Sequence, residues 1–168
     1  MWRMTTSVPK YLYTKKSNTY LTPKALIDKG LQILALEKGV ETLDKFDLDV
    51  CCSNENVPAL KYYKYGTNDG LYEPWEEYNW CNPPFDKCQK WVQKAYGEQQ
   101  NGKTTIMLIP VRTETAYWHD YILNNPNVRI YWLRKGYKFV DSETNKEMGV
   151  FKNALALVLF KGVNNDKN

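Results

Sequence analysis

Apolar residues recur along this chain in two alternating rhythms. Ala25, Leu26, Leu31, Ile33, Leu34 and Leu36 fall at helical spacing and predict a helix reaching about Lys38. Thr22 stands in the capping place, Pro23 at the first helical position, and Gly39 just past the end. Phe46–Cys52 then alternates, mostly apolar, as a strand does. Leu60–Tyr65 predicts a short second strand closed by Gly66, and Tyr78–Cys81 a third. A helix is expected over Phe85–Tyr96, with Cys88, Trp91, Val92 and Ala95 on one face. Thr104–Ile109 reads as a buried strand ended by Pro110. Thr115–Leu123 reads as a helix stopped by Asn124-Asn125-Pro126. Val128–Leu133 and Ala154–Phe160 predict two last strands, separated by a loop rich in charge.

Alternating strands and helices place the chain in the α/β class, with an open, largely parallel, twisted sheet. One domain is expected over residues 19–162, after an irregular lead-in over 1–18 and before a polar tail over 163–168. At 168 residues, 43% hydrophobic, the chain can bury a core of useful size. The opening Met1-Trp2-Arg3-Met4-Thr5-Thr6 lacks the apolar stretch of a signal peptide. The longest apolar run, around Ala154–Phe160, is too short to cross a membrane, so an intracellular protein free of membrane is expected. The net charge of +4 suits a polyanionic partner without requiring one. Thirteen Tyr and six Trp supply core, and also faces on which bases stack. Cys51, Cys52, Cys81 and Cys88 match no zinc spacing, and the single His119 does not complete a ligand set. Free buried thiols and no metal are expected.

In such a sheet, ligands belong at the carboxyl ends of the strands. Three chemically distinctive places fall there. Asp49 is an acid in an otherwise apolar strand, costly unless a ligand or a hydrogen bond compensates it; capping of the following turn is the plainer use. Asp69-Gly70-Leu71, followed by Trp75, is either an ordinary tight turn or a seat for a purine, with Leu71 or Trp75 covering the ring. Asn82-Pro83-Pro84-Phe85 is the most informative. Two prolines fix the backbone and remove two N–H donors, leaving carbonyls and the Asn82 oxygen as acceptors beside a flat ring. That combination suits an exocyclic amino group.

The ordered series Leu21-Thr22-Pro23, Phe46–Val50, Asp69-Gly70-Leu71, Trp80–Phe85, Ile109–Thr113 and Trp118-His119 resembles the phage Dam-type DNA N6-adenine methyltransferases, across roughly Tyr20 to Phe160. The resemblance implies a Rossmann-like class I methyltransferase fold, somewhat reduced, with S-adenosylmethionine as cofactor and double-stranded DNA as partner. It implies a catalytic role for Asn82, Pro83, Pro84 and Phe85. It implies cofactor contacts from Thr22, Pro23, Asp49, Cys51, Asp69, Leu71 and Asn82. A monomer acting in the cytoplasm of a bacterial host is expected. Arg112, Arg134, Lys135 and Lys138 are candidates for DNA contact, with Arg129 and Lys152 nearby; a solvated charged face explains the same residues. His119 reads as structural. Departures stand beside the likeness. Cys51-Cys52-Ser53 replaces a Gly-rich loop. Lys135–Phe139 matches the family's Gly-Arg-x-x-Phe-like stretch loosely. Little chain separates Cys52 from Tyr78, so one strand and one helix of the usual sheet are shortened or missing. The implied reaction rotates adenine out of the duplex and transfers a methyl group in line to its N6. Methylation of RNA or of a protein amide, or a catalytically silent nucleic-acid-binding domain, remain alternatives at this point.

Overall fold

The computed structural model describes residues 20–52, 55–64, 69–141, 144–149 and 151–164. The lead-in expected over 1–18, Ser53 and Gly66 lie outside the described residues. In chain order the elements are β1 (Tyr20–Leu21), α1 (Lys24–Lys38), β2 (Phe46–Cys52), β3 (Ala59–Lys64), β4 (Tyr78–Cys81), α2 (Cys88–Gln100), β5 (Thr104–Pro110), α3 (Ala116–Trp118), β6 (Val128–Trp132), β7 (Val140–Asp141) and β8 (Leu155–Phe160).

Six strands form one sheet in the order β3-β2-β4-β5-β8-β6. β3, β2, β4 and β5 run parallel, and β8 lies antiparallel to both β5 and β6. The expectation of a mostly parallel α/β sheet is met, with β8 reversed. The inner strands β5 and β8 are buried along their whole length. That explains their unbroken apolar runs, since both faces of the sheet are covered. On one face α1 lays Leu26, Leu31 and Leu34 against Trp80, Ile106 and Leu157. On the other, Trp91, Val92 and Ala95 of α2 meet Met107, Ile109 and Val158, with Trp118 and Ile122 beside them.

Several predicted details differ. α1 begins after Thr22, but its capping place is taken by Pro23, whose carbonyl accepts from Leu26 N–H at 2.9 Å. Ala25 and Leu36 are exposed, Leu36 by 79%, while Ile27 and Ala35 are buried, so the apolar stripe is turned from the one read. Gly39 ends the helix as expected, at φ +69°. Phe85–Lys87 is a tight 3₁₀ turn before α2, and α2 outruns the predicted Tyr96 to Gln100. The overrun is polar yet buried: Gln99 Nε2 donates to the carbonyls of Asn127 and Lys161, each at 2.9 Å. The helix expected over Thr115–Leu123 is α only to Trp118 and then widens to a π turn, with Asn124 N–H reaching His119 O at 3.1 Å. Inside the charged loop lies β7, which pairs antiparallel with β1, Leu21 against Val140.

Two constraints position the site. Asn79 is fully buried in β4. Its Nδ2 donates to Glu76 O at 2.8 Å and Thr104 O at 3.1 Å, and its Oδ1 accepts from Glu76 N–H at 3.1 Å. The amide thereby pins β4 against β5 where the strand begins. The second is Gly70, which rides directly on β2: a Cβ there would fall 2.1 Å from Val50 O. Trp75 Nε1 donates to Gly70 O at 2.7 Å and holds the turn in place. Gly70→Ala is therefore expected to displace the turn and cost roughly 1–3 kcal/mol, as overpacking of a dense site does. Urea unfolding checks this; a midpoint equal to that of the unaltered chain would contradict the contact.

Candidate active site

The chain order branches between β2 and β4. From β2 it goes outward to β3, then returns to β4 on the other side. Such a branch opens a crevice at the carboxyl ends of the strands. Asp49 pairs in register with Trp80, so the last residues of β2 and the turn after β4 lie side by side at the carboxyl edge of the sheet.

Asp49 is 4% exposed. Burial raises its carboxyl from 3.8 to about 7, and the Cys51 N–H, donating to Oδ1 at 3.2 Å, offsets only part of that rise. Asp69 raises the pKa of the Cys51 thiol as Asp49 does, and its neighbour Gly70 lies against Val50 O, so the Asp69 turn sits at the end of β2. Asp69 also uses one carboxylate oxygen for its own turn, accepting from Leu71 N–H at 3.0 Å. Leu71 is half-buried against the core. Trp75 is buried and stacked on Trp91, so its expected role as a cover for a ligand ring is corrected: it supports the turn from beneath.

Asn82 emerges from β4 half-buried, between buried Cys81 and buried Pro83 and Pro84. Its Nδ2 donates to Thr22 Oγ1 at 3.1 Å. Pro84 O accepts from Lys87 N–H at 2.9 Å, so of the two proline carbonyls this one is engaged within the turn. Phe85 is half-buried and packs on both cores. Its ring meets Phe151 edge-on at 5.2 Å, and Phe151 meets Phe139 at 6.5 Å. Neither Phe151 nor Phe139 was singled out as a site residue from sequence. Both belong to the charged loop, where nothing local links them to residue 85.

The four thiols are buried and free of disulfides. Burial pushes Cys88 up to about 12 and Cys51 and Cys81 well above the ordinary range, so these three stay protonated. Among the described residues no group of three His, Cys, Asp or Glu is placed to hold a metal. Arg112 follows β5 and is ion-paired with Glu114. His119 Nε2 bonds Thr113 O at 2.7 Å, a structural contact. Lys138 pairs with Glu147 at 3.3 Å. Arg134, Lys135 and Lys152 line a cleft of about 230 Å³ with Tyr137 and Phe151, where β6 and β8 diverge. Through Phe151 this basic cleft adjoins the Asn82–Phe85 turn.

The family model for DNA N-6-adenine-methyltransferase (Dam) matches residues 14–168. The chain belongs to the Dam family. A DNA N-6-adenine-methyltransferase of Escherichia phage T1 is 33% identical over 108 residues, which cover 63% of this chain and 44% of that relative. The chain thus matches less than half the length of this curated relative. No solved structure matches the chain. Among the described residues no helix is long and apolar enough to cross a membrane.

The Asp49 carboxyl of this Dam-family chain carries a pH signature. Its folded pKa of about 7 stands above the ordinary 3.8, so the folded state holds the proton longer than the unfolded chain does. The resulting stabilisation is complete below the unfolded value and is gone once pH passes about 7. Asp49→Asn, which keeps an acceptor for the Cys51 N–H, is expected to match the unaltered ligand-free chain at pH 4 and to melt higher at pH 8. Melting curves at the two pH values check this; equal melting temperatures at pH 8 would contradict an uncompensated buried acid.

Proposed function

We propose that this chain transfers a methyl group from S-adenosylmethionine to the N6 amino group of adenine in double-stranded DNA, leaving S-adenosylhomocysteine and releasing one N6 proton to solvent. The observation that carries the reading is the Asn82 amide, held by its nitrogen on Thr22 at the crevice beside buried Asp49, in a chain of the Dam family. The strand order supports a Rossmann-like class I methyltransferase fold, with one edge strand fewer among the described residues.

The residues fit the cofactor. A buried carboxylate with one backbone donor gains from a cationic group or a ribose hydroxyl placed against it. Asp69, with Leu71 beside it, offers an acceptor and an apolar edge for the adenine of the cofactor. Pro23 and Cys51 complete the wall between the two acids and the turn, while Thr22 and Asn82 stand at its edge with their side chains bonded to each other. When bound, the cofactor supplies a methyl group on a positively charged sulfur, a donor that needs no further activation.

The chain's own task is to prepare the acceptor. The N6 lone pair of adenine is delocalised into the ring. Asn82 Oδ1 and the Pro83 carbonyl accept the two amino hydrogens, which draws the nitrogen toward a pyramidal form and frees its lone pair. The two prolines fix the Pro83 carbonyl and the backbone beside Asn82, and Thr22 holds the Asn82 amide, so little reorganisation is needed at the moment of reaction. Extruding the base costs a few kcal/mol, and stacking on Phe85 returns roughly 1–3 kcal/mol of it. Arg134 and Lys135, with Lys152, line the cleft beside Phe151 and serve the phosphate backbone. Arg112 and Lys138, ion-paired with Glu114 and Glu147, serve the same phosphate backbone. The thiols take no part, since no covalent intermediate on the enzyme is required.

Asn82→Ala is expected to lower labelled-methyl transfer to duplex DNA by roughly 10²-fold or more, as loss of a preorganised polar group does, while calorimetric binding of S-adenosylmethionine stays close to that of the unaltered chain. Near-normal methylation by that variant would overturn the proposed mechanism. Phe85→Ala is expected to weaken both DNA binding and rate, by about tenfold each, in proportion to one lost stacking contact; an unchanged rate would remove the ring from the reaction.

A further inference from the structure

Thr22 stands one residue before the Pro23 cap of α1, and its side chain caps nothing. Its side chain is committed elsewhere. Thr22 is buried, and its Oγ1 accepts the Nδ2 of Asn82 at 3.1 Å, across 60 residues of chain. Thr22 is itself held from both sides. Its carbonyl accepts from Asn56 Nδ2 at 3.4 Å, and Leu21 before it pairs with Val140. A primary amide has a donor end and an acceptor end of nearly equal shape. Rotation about its last bond exchanges the two ends at small intrinsic cost, because that torsion is broad and roughly two-fold. A neighbouring hydrogen bond therefore selects which end faces the crevice, and in the structure the Thr22 hydroxyl takes the acceptor role. With Nδ2 bound to Thr22, that end is Oδ1.

We propose that Thr22 is a positioning residue: its hydroxyl holds the Asn82 amide by the nitrogen and so presents Oδ1 to the incoming amino group. The benefit rests on the proposed function, but the hold on Asn82 exists without any ligand and is measured separately. The assignment also changes what the Thr-Pro segment is for. The Thr22 hydroxyl oxygen serves Asn82, so its removal strikes the chemical step more than cofactor binding.

Thr22→Val keeps the branched shape and removes the hydroxyl, and Thr22→Ser restores it. Thr22→Ala serves if the valine variant does not fold. Two readouts are taken. The first is nitrogen-15 NMR of the ligand-free chain, with the Asn82 side-chain amide identified by its loss in Asn82→Ala. One amide proton is expected to be protected from solvent exchange in the unaltered and serine forms. The valine form is expected to lose roughly tenfold of that protection, the worth of one hydrogen bond. The second compares kcat for methyl transfer with the Kd for S-adenosylmethionine. The valine variant is expected to lose about tenfold or more in kcat with Kd within roughly threefold, and the serine variant to recover kcat. Equal amide protection in the unaltered and valine forms overturns the proposal, as does an unchanged kcat. A Kd that rises as far as kcat falls also overturns it, since Thr22 would then be a cofactor contact. If the unaltered chain methylates no DNA, the proposed function fails, and the amide protection still decides for or against Thr22.

Discussion

The fully buried Asn79 amide is the constraint on which the site depends. β4 is only four residues long, and it lies between two longer parallel strands. A strand that short gains little from its own ladder. Asn79 compensates by bridging to Glu76 and to Thr104 at the start of β5, at a point closed to water. Because β4 is fixed at its first half, the turn that leaves it is fixed too. The prolines then carry that rigidity to Asn82 and Phe85 without a flexible link. The charged loop grips both ends of the same turn: β7 pairs with β1 and so steadies Thr22 under Asn82, while Phe151 rests against Phe85.

Electrostatics follow from this packing. The end of β2 is sealed tightly enough that Asp49 holds its proton to about neutral pH and the neighbouring thiols stay protonated. A site in this condition is unfavourable to lone negative charge and favourable to a ligand that brings a compensating positive group or hydroxyl donors. Arg134, Lys135 and Lys152 lie elsewhere, around the cleft between β6 and β8. Two regions of opposite preference thus flank one acceptor-rich turn, an arrangement suited to a cationic small molecule on one side and a polyanion on the other.

Much of this was legible in the sequence because it is local. β2 and β4 have the predicted bounds, since alternation in Phe46–Cys52 and the prolines after Cys81 mark them within a few residues. Asp49 and the turn after β4 lie at the same edge because β2 and β4 are neighbouring parallel strands. What escaped depends on distant partners. Thr22 reads as a helix cap until Asn82 is seen beside it. Trp75 reads as a cover until burial places it under Gly70. Gln99 lies beyond the predicted end of its helix, and the carbonyls that hold it there, of Asn127 and Lys161, are distant in sequence. β1 and β7, two residues each, are too short for any periodicity to mark. Phe151 is joined to Phe85 only by the return of β8 to the centre of the sheet.

The central claim is that the acceptors after β4 exist to draw on one particular amine. The most direct test is to incubate the full chain with methyl-labelled S-adenosylmethionine and duplex DNA, digest the DNA to nucleosides, and locate the label by mass spectrometry. The account predicts labelled N6-methyladenine. Label on cytosine, on RNA or on protein amides in its place, or no transfer at all, would contradict it.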